Sequence, residues 1–243
     1  MFRRFFQGLD YPLVGLTLLV SGLGVAMINS ATQGTRLQGL WMGQLGAIGI
    51  GVLLLLVVAA ADYRRLADRS PLLLGATLFL LLATLALAPR IAGTRRWLSV
   101  GPIQFQPSEF AKIVAALVIA KLFSEMKKES LGLSDLMAPA AVTGVLALTI
   151  AAAPDLGTAV SLVPMFFVGA FLAGLRYKSI AILSAFLLVF GLVSWEFLLR
   201  DYQKARIYSF LDPDLDPRGS GYQKKQSQIA VGSGGLTGKG YGE

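Results

Sequence analysis

The residues that could do chemistry in this chain are limited first by the types that are missing. The 243 residues include no His and no Cys. A Ser-His-Asp triad, an imidazole proton shuttle, a thiol nucleophile and a histidine- or thiolate-ligated metal are therefore excluded for this chain. Any catalysis must use carboxylates, amines, hydroxyls or backbone groups. No cofactor motif is evident and no metal site is predicted, while a requirement for a divalent cation stays open.

An acidic and a basic residue, Glu109 and Lys112, stand three positions apart at the start of an apolar run. This spacing places both on one face of a helix, where they can form an ion pair. A charge inside a membrane span costs roughly 2.5–3.5 kcal/mol on insertion scales, so it needs a partner or a function. Two interpretations stay open: mutual neutralisation in a polar anchor between helices, or a direct role in binding substrate.

Asp155 stands between two charge-free runs, in the segment Pro154–Thr158. Its position predicts a helix N-cap, in which the carboxylate accepts the first free backbone N–H groups. Pro154 would end the preceding helix, because the residue before a proline disfavours the helical region. The functional alternative is a carboxylate that lines an outward cavity. Spacing does not separate the two, and both can hold.

The glycine-rich run Gly232–Gly240 has the composition of a phosphate cradle but not its spacing. A P-loop needs Gly at the position of Ser233 and Ser or Thr at the position of Gly240. A turn-rich loop is the favoured interpretation, and donation of backbone N–H groups to an anionic lipid head group is the alternative.

The elements that position these residues are predicted to be membrane helices. The chain is 55% hydrophobic and only 15% charged, with a mean hydropathy of +0.65, whereas soluble domains are about 25% charged. Charge-free runs reach the length of about 20 residues that a helix needs to cross a bilayer. We therefore predict an all-α polytopic membrane protein rather than a soluble or disulfide-rich secreted domain. The membrane domain is residues 1–199, with seven spans at about 12–31, 40–61, 72–88, 108–123, 136–153, 158–175 and 179–199; residues 200–243 begin a large extracytoplasmic loop.

The distribution of Lys and Arg predicts the orientation. With the N-terminus inside, the inner segments hold ten of these residues and the short outer loops hold four, as the positive-inside rule requires. The net charge of +8 is then explained by basic residues that set the topology and attract anionic lipid. Nucleic-acid binding is not predicted. The outer cations indicate either an anionic ligand or solvated loop charge.

Several segments together resemble the SEDS family of RodA/FtsW-type proteins. They are Arg96–Leu98, Gly101-Pro102, Gln106–Lys112, Pro154–Thr158, Phe210–Pro213, Asp216-Pro217, Gly219–Gln223, Gln226-Ser227, Ile229–Leu236 and Gly238–Gly240. Ser108, the Phe-Leu-Asp-Pro run and the run Gly232–Gly235 are closer to the RodA branch. Family members have about ten spans, and the family's catalytic aspartate lies in a His-Thr-Asp-Phe motif later in the large outer loop. This chain stops at Glu243, so the resemblance implies a C-terminally truncated member with no catalytic residue of its own.

The resemblance implies a peptidoglycan glycosyltransferase of the bacterial cytoplasmic membrane, with its N-terminus in the cytoplasm. Such an enzyme polymerises lipid II into glycan strands for cell elongation and rod shape, with undecaprenyl pyrophosphate as leaving group. Membrane lipids and a class B penicillin-binding protein, a transpeptidase, are the implied partners. Arg95, Arg96, Arg206 and Lys239 are candidates for stabilising the pyrophosphate charge. The chain alone is expected to be inactive. The alternatives are a flippase or transporter for a polyprenyl-linked precursor, or a non-catalytic scaffold for the transpeptidase.

Overall fold

The computed structural model describes residues 9–89, 94–100, 103–126, 128, 130–199, 201–212 and 221–242. Within these ranges the fold is helical, with one short two-stranded hairpin. Five helical segments are long and apolar enough to cross a membrane: Tyr11–Thr32, Leu40–Ala60, Ser70–Leu87, Leu133–Ala152 and Tyr177–Phe197. The predicted all-α polytopic membrane fold is confirmed.

Ten α-helices lie within the described ranges. Their bounds are Tyr11–Thr32 (α1), Leu40–Ala60 (α2), Tyr63–Asp68 (α3), Ser70–Leu87 (α4), Pro107–Ser124 (α5), Met137–Ala152 (α6), Leu156–Leu172 (α7), Tyr177–Val193 (α8), Asp201–Leu211 (α9) and Tyr222–Gly234 (α10). The strands Leu98–Val100 (β1) and Ile103–Phe105 (β2) lie between α4 and α5. A 3-10 turn, Leu133–Leu136, leads into α6, and a π turn, Ser194–Leu198, follows α8.

Each of the seven predicted spans coincides with one of the helices α1, α2 and α4–α8, and begins within two residues of it. The last span differs most, because α8 ends at Val193 and the π turn continues the path to Leu198. Two of the seven are weaker candidates for crossing: α7 has 17 residues, and α5 carries Glu109, Lys112 and Lys121. The number of crossings and the domain boundary at residue 199 therefore stay predictions.

Side chains at the first residues of several helices explain where these helices begin. Asp10 Oδ1 accepts the backbone N–H of Leu13 at 3.1 Å and caps α1, and Asp62 Oδ1 accepts that of Arg64 at 2.9 Å and caps α3. Both carboxylates satisfy donors that the first helical turn leaves without a partner. Pro107 is the first residue of α5, where its fixed φ and missing N–H cost nothing.

The chain divides into two compact units, Asp62–Leu188 and the pair of segments Met1–Ala61 and Val189–Glu243. We call them the core unit and the flanking unit. In the flanking unit α1 packs on α2, and the segment after α10 reaches the end of α1. There Asn29 Nδ2 donates to Tyr241 Oη at 2.8 Å, and the Gly242 N–H donates to Ser30 Oγ at 2.7 Å.

The core unit is built around α4, α5, α6 and α7, which pack on one another. Its buried cluster draws on all four helices: Leu81, Ala111, Ala115, Ile119, Leu146, Ile150, Leu162 and Phe166 are examples. Helices α7 and α5 approach each other closely at Gly169, where an added Cβ would lie 3.0 Å from Ile119 Cγ2 and 3.3 Å from Phe123 Cε2. The glycine therefore sets the spacing of these two helices.

The core unit has two chemically different ends. The hairpin β1–β2, the start of α5 and the start of α7 share one end, which we call the hairpin end. At the opposite, basic end, the connections α5–α6 and α7–α8 are joined by two backbone hydrogen bonds: Leu131 N–H to Gly174 O at 3.0 Å and Arg176 N–H to Leu131 O at 3.2 Å. The main chain there is held by its own hydrogen bonds, whereas the hairpin end is held by side chains.

Candidate functional site

Asp155 is the centre of a polar cluster at the hairpin end. Its carboxylate is buried, and Oδ1 lies 3.3 Å from Nη1 of Arg96 in an ion pair. Oδ2 accepts hydrogen bonds from Gln106 Nε2 at 2.9 Å and from Ser108 Oγ at 3.1 Å. Gln106 Nε2 is also 2.9 Å from Ser108 Oγ, so the three side chains form a closed network. Both carboxylate oxygens are therefore occupied by donors from the chain itself.

The predicted side-chain cap of α7 is not formed. Asp155 does occupy the N-cap position, but its side chain makes no capping hydrogen bond. Only its backbone carbonyl serves the helix, accepting the N–H of Ala159 at 3.1 Å. The guanidinium and two neutral donors compete successfully for the carboxylate, because charge-assisted hydrogen bonds are stronger than those to backbone amides.

The hairpin delivers two of the three partners of Asp155. Arg96 stands two residues before β1, and Gln106 directly follows β2. The antiparallel pairing of Leu98 with Phe105 brings the two ends of the hairpin side by side. The ring of Phe105 stacks on that of Phe110 in α5, with centroids 4.6 Å apart. No element is predicted between the spans 72–88 and 108–123, so neither the hairpin nor the roles of Gln106 and Ser108 were predicted from the sequence.

The two neighbouring arginines have different partners. Arg96 pairs with Asp155 and its Nε donates to Thr94 Oγ1 at 3.0 Å. Arg95 Nη1 instead donates to the carbonyls of Leu85 and Ala86, at 3.2 Å and 3.1 Å. These carbonyls lie in the last turn of α4, where helical partners are lacking. Each guanidinium thus ties the hairpin to a helix end.

The space beside the cluster is small. A cavity of about 10 Å³ is lined by Arg95, Arg96, Ser108 and Asp155 together with apolar side chains of α4 and α6. Such a volume is about that of a single water molecule. The hydrogen bonds of the cluster orient the hairpin, and a role of its residues in binding substrate stays a prediction.

Glu109 and Lys112 form the predicted ion pair, with Lys112 Nζ 2.8 Å from Glu109 Oε2. The pair lies apart from the Asp155 cluster although Ser108 is adjacent in the chain. Ser108 points into the core, whereas the Glu109 side chain is 54% exposed and that of Lys112 is 33% exposed. The pairing is confirmed, and the choice between an anchoring and a substrate role stays open.

The remaining candidates lie in the flanking unit. Lys239 is exposed in the segment after α10, and Arg206 belongs to α9, with its side chain outside the described atoms. Asp214 and Asp216 fall outside the described residues. Within the described part of the chain, no three His, Cys, Asp or Glu residues are grouped to hold a metal ion.

Proteins of known family match this chain over almost its whole length. Residues 10–243 match the model of the FtsW/RodA/SpoVE family, described as cell cycle protein. Peptidoglycan glycosyltransferase MrdB of Escherichia coli (strain K12) is 33% identical over 95% of this chain and 62% of its own length. Stage V sporulation protein E of Bacillus subtilis (strain 168) is 35% identical over 96% of this chain and 66% of its own length.

Solved structures give the same result. A chain of a peptidoglycan synthase complex that coordinates polymerization and crosslinking superposes with a TM-score of 0.76 at 34% identity, covering 93% of this chain and 66% of that chain. The rod shape determining protein RodA of Thermus thermophilus superposes with a TM-score of 0.62 at 32% identity, covering 74% and 59%. The chain thus spans a little under two thirds of the length of these relatives. From residue 10 onward, it belongs to the FtsW/RodA/SpoVE family.

Proposed function

We propose that this chain is part of a peptidoglycan glycosyltransferase that polymerises lipid II into glycan strands for cell elongation and rod shape. The observation that carries the proposal is the family match over residues 10–243, together with relatives whose names state this activity. The protein resides in the bacterial cytoplasmic membrane with its N-terminus in the cytoplasm. The hairpin end then faces outward, where lipid II is consumed.

In this reaction the 4-hydroxyl oxygen of the acceptor sugar attacks the anomeric carbon of the donor. A carbon–oxygen bond forms, the bond to undecaprenyl pyrophosphate breaks, and a general base takes the hydroxyl proton. Asp155 does not suit the role of base, because it is buried and both of its oxygens accept hydrogen bonds. We assign Asp155 and Arg96 the positioning of the hairpin, and we place the base beyond Glu243, where the family resemblance puts it.

The proposed partner is a class B penicillin-binding protein, a transpeptidase that crosslinks the new strands. It is supported by the structural similarity to a chain of a peptidoglycan synthase complex in which polymerization and crosslinking are coordinated. Undecaprenyl pyrophosphate and the surrounding lipids are the remaining contacts of the proposed enzyme.

The test compares two purified proteins in detergent, where no membrane sidedness exists. One is the 243-residue chain, and the other is a chimera that continues from Glu243 into the remaining part of E. coli MrdB. Each is incubated with fluorescently labelled lipid II, and the products are separated by length. We expect glycan strands from the chimera and none from the chain alone.

Three other outcomes are informative. A folded chimera that makes no strands would contradict the glycosyltransferase proposal. If that chimera moves lipid II across a proteoliposome membrane, the transporter alternative is correct. Strands from the 243-residue chain alone would place the general base within it, with the exposed Glu109 as the first residue to substitute.

A further inference from the structure

Helix α9 exposes three large apolar side chains and buries one polar side chain. Ser209 is buried at 6% exposure, while Ile207, Phe210 and Leu211 are 42%, 70% and 74% exposed. The last three stand at positions i, i+3 and i+4, so they form one continuous face, which we call the α9 apolar face. Ser209 projects from a different side of the helix. A helix in water would show the reverse arrangement.

This face is not part of a membrane-crossing helix. With 11 residues, including Asp201, Lys204 and Arg206, α9 is too short and too polar to span a bilayer, which needs about 20 apolar residues. A contiguous exposed apolar face on a polar segment marks an interaction surface. The occupant must therefore be something that an amphipathic helix can lie against.

Contacts with the end of α8 place α9 at the membrane boundary. Trp195, in the π turn after α8, meets Tyr208 of α9 edge to face with ring centroids 5.4 Å apart. Lys204 Nζ lies 5.9 Å from the centroid of the Trp195 ring. Trp and Tyr prefer the level of the lipid head groups, and Lys extends its ammonium toward the polar region from such a position. Lys204 and Tyr208 thereby hold α9 beside the π turn in which the apolar path of α8 ends.

Three lysines lie near the face, and the two carboxylates of this segment, Asp201 and Asp212, lie at the two ends of the helix. Lys204 lies on α9 itself, and Lys224 of the neighbouring α10 lies 4.5 Å from the centroid of the Phe210 ring. Lys225 follows directly, in an exposed position. Lys204 borders the apolar face, because it stands three residues before Ile207. Helices that combine apolar and basic residues in this way bind the interface of membranes that contain anionic lipid.

We propose that α9 is an interfacial helix whose apolar face is embedded at the head-group level of the leaflet in which α8 ends, with anionic lipid as its partner. This inference does not depend on the glycosyltransferase proposal, because it rests on contacts within the flanking unit.

The test uses the full 243-residue chain, which has no native Cys, in nanodiscs of phosphatidylglycerol and phosphatidylethanolamine. Leu211→Cys carries an environment-sensitive fluorophore on the apolar face, and Ala205→Cys carries it on another, exposed side of the same helix. Lipids brominated near the top of the acyl chain serve as quenchers. We expect the Leu211→Cys probe to be quenched roughly twofold or more strongly than the Ala205→Cys probe.

Equal quenching of the two probes, or no quenching of either, would overturn the proposal. In the second case the α9 apolar face stays out of the lipid and a protein partner becomes the better explanation. Ile207→Cys provides a second reporter on the same face, so the result does not depend on one substitution. Replacing phosphatidylglycerol by phosphatidylcholine should weaken the quenching at Leu211→Cys, and an unchanged signal would remove anionic lipid from the proposal.

Discussion

Arg96 and Asp155 form one ion pair, but water reaches the two side chains to different extents. The Arg96 side chain is 30% exposed, whereas that of Asp155 is 8% exposed. A guanidinium that loses its partner can be hydrated, while a buried carboxylate cannot. The consequences of removing each partner are therefore unequal, and this inequality gives the first prediction.

We expect Arg96→Ala to lower the free energy of unfolding by about 3 kcal/mol, because an uncompensated carboxylate is left in the core. Asp155→Asn should lower it by only roughly 1 kcal/mol, since its neighbours lose one charged hydrogen bond and Arg96 turns to water. Denaturation of the purified proteins in one detergent measures both. The double variant Arg96→Ala with Asp155→Asn should recover part of the loss. An Arg96→Ala variant as stable as Asp155→Asn would mean that the carboxylate of Asp155 is not left uncompensated in the core.

The Glu109–Lys112 pair gives a second prediction. If the pair is mainly structural, Glu109→Ala should reduce the folded yield in detergent more than the double change Glu109→Ala with Lys112→Ala. The single change leaves a lone ammonium near the membrane, and the double change leaves none. Because Glu109 is 54% exposed, the difference in stability should stay below about 1 kcal/mol. A double variant that folds fully but abolishes strand synthesis in the MrdB chimera would favour the substrate role instead.

At the scale of elements, the contact of α5 with α7 depends on the absence of one side chain. Gly169→Ala adds a Cβ at 3.0 Å from Ile119 Cγ2 and 3.3 Å from Phe123 Cε2. Both neighbours are buried and have little room to move. We expect a loss of about 1–3 kcal/mol in the free energy of unfolding from this overpacking.

Gly144→Ala in α6 is the matched control for Gly169→Ala. Nothing lies within 4 Å of a Cβ at Gly144, so the change should be neutral or stabilise the helix by up to about 1 kcal/mol. The two variants are compared by thermal denaturation in the same detergent. Equal midpoints for the two would show that α5 and α7 can separate slightly without cost.

The hairpin is an element that local sequence patterns do not predict. Each strand has three residues, which is too short for an alternating pattern to identify. Its position depends on side chains that are distant in sequence, since Asp155 lies 59 residues after Arg96 and 49 after Gln106. Conversely, α1 and α2 were predictable to within two residues at both ends, because a long apolar run flanked by polar residues permits little else.

At the scale of the whole molecule, the orientation in the membrane is the prediction with the widest consequences. An impermeant thiol reagent applied to intact cells should label Ser99→Cys in β1 and should not label Ser124→Cys at the end of α5. Both residues are exposed, and the chain has no other Cys. Ser209 is a poorer reporter because it is buried. Labelling of Ser124→Cys alone would invert the topology and place the Asp155 cluster on the cytoplasmic side.

Sequence by itself determined the class of protein, the apolar helices and the family. Each depends on features that are local or that persist in chain order, namely uninterrupted apolar runs and ordered motifs such as Gln106–Lys112. It also predicted the Glu109–Lys112 pair, because residues three apart on a helix meet whatever the helix packs against.

Only the tertiary structure decided what Asp155 does. The sequence offered a side-chain cap or a carboxylate that lines a cavity; the fold does not form the cap, and it pairs the carboxylate with Arg96, Gln106 and Ser108 beside a small cavity. Likewise, α9 has an unremarkable composition, and its outward apolar face became evident only when Ser209 was found buried. The reason is the same in both cases: the partner of a polar or apolar side chain is set by which distant segments pack beside it, and spacing along the chain does not contain that information.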